Sequence, residues 1–177
     1  GLCLMDTHYY GGIKKYQWVA RPMALAGVVV KKDGTVIDIN IGDDDNDPVV
    51  GISDLLIHLA AAQMSKTADK VVEGEALDVL VASIPAKDVE KDPVKTYLLN
   101  LLKEKYDIEE DDFISAEIEV VPAGKARDYG LDRSMIMGYG HDDRVCAYTS
   151  LRAALDYEGT PERTSCVILV DKEEIGS

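Results

Sequence analysis

Residues 164–170, TSCVILV, are almost continuously apolar. A strand with one wet face alternates apolar and polar residues. A run without alternation reads as a strand buried on both faces, as in a parallel sheet. Upstream, SMIMGY (134–139) reads as a short strand. From about Asp143, Val145, Tyr148, Leu151 and Leu155 recur at three-and-four spacing, the mark of a helix. Strand, helix and strand within about 35 residues predict a right-handed crossover unit. The C-terminal third of the chain is therefore expected to be α/β.

The preceding residues have a different character. Residues 13–20 (IKKYQWVA) read as a strand, and ALAGVVV (24–30) as a buried one. Asp33-Gly34 signals a hairpin turn into TVIDINI (35–41). Ser53 is a plausible N-cap for a helix over 54–64, with Leu55, Leu56, Leu59 and Met64 near one face. LDVLVASI (77–84) reads as a strand. Asp92-Pro93 supplies an N-cap and a first-turn proline for a helix with Val94, Tyr97, Leu98, Leu101 and Leu102 in phase. Phe113 to Val121 alternates as a half-buried strand. A boundary is expected near residue 122, between a β-rich module with two helices and α/β material.

Bulk properties exclude several functions. The 177 residues carry 33 acids against 19 bases, a formal charge of −14. That balance argues against nucleic acid or an anionic membrane as partner. No apolar run reaches membrane-spanning length. The N-terminal residues lack the pattern of a signal peptide. Cys3, Cys146 and Cys166 show no metal-ligand spacing and their number is odd, which fits a reduced, cytoplasmic protein. The missing initiator methionine and the abrupt end give the expectation of a fragment of a longer chain.

Two acid pairs could carry chemistry. Asp142 and Asp143 fall where a strand gives way to a helix. They read either as a helix cap with a dipole-favoured acid or as metal ligands at a strand's carboxyl end. Glu173 and Glu174 end the next predicted strand, either as a solvated acidic tip or as two groups of one site. Neighbours on a regular strand point to opposite faces, so the strand must be ending for both to reach one pocket. Gly176 fits that ending. Two adjacent acids in one site divide the work, one neutralised by a cation and the other free to act as a base. Adjacent parallel strands would bring both pairs to one sheet edge, as a two-metal site requires.

GYGHDDRVCAYTSL (138–151) and DKEEIGS (171–177) resemble the two central motifs of the aspartyl aminopeptidase family of dizinc metalloaminopeptidases. HYYGGIKKYQWVARPMALAGVVVKKDG and ISDLLIHLAAAQ look like that family's inserted dimerisation domain. The resemblance runs along essentially the whole chain. It implies part of a phosphorylase/hydrolase-like three-layer α/β catalytic domain with a β-rich insert carrying two helices. Residues 1–8 and 122–177 would be catalytic-domain segments, and residues 9–121 the insert. The implied activity is release of single residues from a peptide's free N-terminus by a water activated between two divalent metals, zinc first, cobalt or manganese otherwise. The implied assembly is dimers within a tetrahedral dodecamer. By position, Asp142 would bridge both metals, Glu174 would ligate one, and Glu173 would be the general base. His58 would serve the neighbouring subunit's active site near the substrate carbonyl. A non-proline cis peptide is expected between Asp142 and Asp143.

The histidine positions of the family's full ligand set are not matched by His8, His58 or His141, so the fragment alone is expected to be inactive. His141 adjoins the bridging position but matches a variable one and is not counted as a ligand. The alternative function is a non-catalytic assembly module of a larger protein. YQWVARPM differs from the more aromatic, acidic version of eukaryotic relatives, which leaves the preferred N-terminal residue open. Three other features carry less. Cys146 lacks an orienting group for a thiol nucleophile. DDDNDP (43–48) starts like a calcium loop, but Pro48 stands where glycine is needed and Asp54 where a glutamate is needed. GYG lacks the lysine of a phosphate loop.

Overall fold

The computed structural model describes residues 1–174. It is a mixed α/β structure of small antiparallel sheets and a few helices, in two compact units, Gly1–Gly124 and Lys125–Ser177.

The first unit is organised around β2 (Met23–Val30), paired on one side with β3 (Val36–Ile41) and on the other with β5 (Ala116–Pro122). The β2–β3 hairpin closes as its Asp-Gly signal predicts: the Thr35 amide donates to Asp33 Oδ1 at 2.9 Å, and the Lys31 amide to the Thr35 carbonyl at 2.8 Å. Register places Leu25, Gly27 and Val29 opposite Ile41, Ile39 and Ile37, and opposite Val120, Ile118 and Ala116. Two of these alternating positions, Val29 and Ile39, form a core with Ile108, against which Leu102, Tyr106 and Phe113 pack. Glu117 and Glu119 face water, as the alternation requires. Gly27 has a structural reason: at φ +154° a Cβ there would lie 1.9 Å from the Glu117 carbonyl oxygen. Only glycine allows so close an approach of the two strands.

A second sheet pairs β1 (Cys3–Met5) with β4 (Val79–Ala82), and Ile52, Val72, Leu77 and Val79 form the core beside it. α2 (Pro93–Tyr106) begins at its predicted proline. Asp92, however, adopts a left-handed conformation and makes no side-chain cap bond; its carbonyl accepts the Thr96 amide at 2.9 Å instead. At the other end, Lys31 and Lys103 both ion-pair with Asp107.

Several expectations fail. Residues 13–20 form no strand; they hold a 3-10 turn, Lys15–Gln17, and bends. The helix expected over 54–64 shrinks to a 3-10 turn, Ile57–Leu59, and the single-turn α1, Ala61–Met64. Ser53 caps nothing there; Leu56 is extended, and Leu55, Leu56, Ile57 and Leu59 are exposed. A helix this short needs a packed face to persist. Residues 164–170 form no strand either, and Ile168 is 77% exposed. Among the described residues every strand pairing is antiparallel, so the expected parallel crossover is not formed. A strand buried on both faces needs a neighbour to take its ladder hydrogen bonds, and no described strand pairs with it.

The second unit contains the hairpin of β6 (Arg127–Tyr129) and β7 (Met135–Met137), followed by α3 (His141–Leu155). No described helix is long and apolar enough to cross a membrane.

Candidate active site

The acid pair at 142–143 is carried by the turn between β7 and α3. Gly140 opens it at φ +82°, a left-handed conformation that favours glycine. Asp142 (φ −90°, ψ 108°) and Asp143 (φ −118°, ψ 25°) are not helical, so regular α3 geometry begins after them. The peptide bond between them is cis, as expected. Both carboxylates are exposed.

Two side chains tie this turn back to the strand. His141 Nε2 lies 3.1 Å from the Ile136 carbonyl oxygen. A carbonyl only accepts, so Nε2 carries the proton. Arg144 Nη1 donates to the Tyr139 carbonyl at 3.2 Å. Nothing in the spacing singles out Arg144; its only signal is a base directly after two acids. The Cys146 thiol is pushed up, first by its hydrogen bond to Asp143, then by the charges of Asp143 and Asp142 and by desolvation. A raised thiol is the opposite of an activated nucleophile.

Glu173 and Glu174 occupy an exposed turn and not a strand, preceded by Lys172 in a left-handed conformation. They therefore escape the opposite-face constraint of a regular strand. Gly176 lies outside the described residues. His58 is exposed within the 3-10 turn of the first unit. Two of the acids at 43–47 are engaged locally: Asp44 Oδ1 accepts the Asn46 amide at 2.9 Å, and Asp47 Oδ2 accepts the Gly42 amide at 3.1 Å. That is a self-contained loop.

Carboxylates such as those of Asp142 and Glu174 suit zinc in kind. In number they fall short, because a zinc centre takes three or more protein ligands. Among the described residues, no three His, Cys, Asp or Glu side chains gather into a group able to hold a metal. These residues do not form a metal centre by themselves.

Comparison with known proteins places the chain. All of residues 1–177 match the model of the aminopeptidase I zinc metalloprotease (M18) family. A probable M18 family aminopeptidase 1 of Clostridium acetobutylicum is 61% identical over 177 residues, covering 99% of this chain and 38% of the relative. A Thermotoga maritima protein of the same description is 52% identical over 176 residues, covering 99% of this chain and 38% of its own length. The chain thus spans well under half the length of these relatives. Among solved structures, an M18-family aminopeptidase from Thermotoga maritima superposes with a TM-score of 0.83 at 49% identity, over 92% of this chain and 35% of that one. Aminopeptidase I from Clostridium acetobutylicum gives 0.81 at 61% identity, over 89% and 35%. This chain belongs to the M18 family of aminopeptidase I zinc metalloproteases.

Proposed function

We propose that the chain is part of a two-metal aminopeptidase that releases single residues from the free N-terminus of a peptide. The observation that carries this reading is the family match along the whole chain, with an exposed acid pair on the turn ahead of α3. Residues 122–177 and 1–8 are read as segments of a three-layer catalytic domain, and 9–121 as the inserted dimerisation domain. In the complete protein, Asp142 and Glu174 would be among the carboxylates that hold the two metal ions. When bound, two divalent metals, zinc or else cobalt or manganese, would supply Lewis-acid chemistry and a more acidic water. Glu173 takes a proton from the attacking water. His58 reaches the substrate carbonyl of a neighbouring subunit, in dimers that build a dodecamer in the cytoplasm.

The 177-residue polypeptide alone is read as inactive, because its described residues gather no three-ligand group. That observation, with the exposed apolar run Leu55–Leu59, favours a second reading for the isolated chain, a module that only assembles. The experiment is zinc content and turnover of the complete protein and of Glu173→Gln. The variant should keep its zinc and lose about 10²- to 10⁴-fold in kcat. Undiminished turnover removes Glu173 from the mechanism. A complete protein that holds no metal and cleaves nothing leaves the assembly reading.

A further inference from the structure

We propose that His141 and Arg144 are positioning residues: together they brace the β7–α3 turn so that the Asp142 carboxylate is presented in one orientation. The inference rests on the reading of Asp142 as a metal ligand.

The turn needs such a brace. Asp142 and Asp143 depart from helical geometry, and the backbone bond that spans them, from the Arg144 amide to the Gly140 carbonyl, is long at 3.4 Å. Both are exposed, so packing does not fix them. Besides the contact of Asp143 with the Cys146 thiol, side-chain ties lie on either side of the pair. On the N-terminal side, His141 reaches back to the Ile136 carbonyl, inside β7. On the C-terminal side, Arg144 reaches back to the Tyr139 carbonyl. The two acids are thus held from both flanks against the backbone of 136–139.

Gly140 fits the same arrangement. A Cβ there would lie 3.2 Å from Arg144 Cζ and Nη1, so the guanidinium occupies space that a side chain at 140 would take. His141 donates through Nε2, so its ring orientation and tautomer are fixed by this contact. Its task is then to hold the turn. Outer partners that orient a ligating carboxylate are worth about 10- to 100-fold in metal affinity or activity.

The test uses the complete protein with His141→Ala, Arg144→Met and the double variant. Zinc affinity is read by competition with a chromophoric chelator, alongside kcat, KM and Tm. The expected result is a loss of about 10- to 100-fold in zinc affinity and in kcat for the double variant, with KM nearly unchanged. His141→Gln and Arg144→Lys, which keep a donor, should recover part of the loss; they also serve if the first variants do not fold. Variants whose Tm falls while zinc affinity and kcat stay at parental values overturn the brace and leave a merely structural contact. Asp142→Asn separates the two layers. If it keeps zinc and full turnover, the reading of Asp142 fails and the brace fails with it. If it loses both while the brace variants lose neither, only the brace falls.

Discussion

The two units use similar sequence signals and reach different ends. In the first, alternating β2, β3 and β5 place Val29 and Ile39 against Ile108, all nearly inaccessible to water. In the second, α3 has an equally regular apolar face, yet Val145, Tyr148, Leu151 and Leu155 are all exposed, Tyr148 at 63%. Among the described residues none from 125 to 174 is buried. Amphipathic spacing announces a face; it does not supply the surface that covers it. The first unit contains its own partners, because strands 80 or more residues apart pair on β2. The contacts differ in kind as well: a buried apolar core in one unit, exposed polar ties at the β7–α3 turn in the other.

That contrast can be broken by substitution. Ile108→Ala should cost the 177-residue chain about 2–5 kcal/mol, read by urea denaturation, because it empties a site in the first unit's core. A loss below 1 kcal/mol, well under the range typical of core truncations, would mean that core is not what holds the unit. Gly27→Ala should cost about 1–3 kcal/mol, since the added methyl meets the Glu117 backbone. Equal stability would show that β2 and β5 can separate freely. Leu151→Ala in α3 should change the chain by no more than about 0.5 kcal/mol, the usual limit for exposed positions. A larger loss would reveal that the α3 face is covered in solution.

A finer probe is acid. Hydrogen bonds from Lys103 and then Lys31 hold the Asp107 carboxyl at about 2 in the folded chain. The unfolded value lies near ~3.9. The folded state therefore binds this proton less readily, and the contribution is fully present above about pH 4. It is lost as pH falls toward about 2. Asp107→Asn should lose less Tm than the parent between pH 5 and pH 2. An identical acid profile would take the α2 terminus out of the acid response. The group is exposed, so the effect is the smallest of the four.

Much of the first unit was legible in advance. The Asp33-Gly34 turn, the β3 and β5 alternation and the Pro93 start of α2 are local signals, and each was expressed. Asp92 as a side-chain cap and the long helix from Ser53 were not, because a left-handed Asp92 and an unpacked Leu55–Leu59 run override local preference. At the candidate site, the acid pair and the cis peptide after Asp142 were legible through the family's motifs. The ties from His141 and Arg144 were not, since their acceptors are backbone carbonyls, which every residue has.

By itself the sequence determined where apolar faces fall and where turns form, because propensity and periodicity are properties of neighbours along the chain. Only the tertiary structure decided which faces find cover. TSCVILV has the composition of a buried strand, but a strand exists only when another takes its hydrogen bonds, and among the described residues none does. Tertiary structure also decided the ties of His141 to the Ile136 carbonyl and of Arg144 to the Tyr139 carbonyl, because they close only when β7, Gly140 and α3 meet.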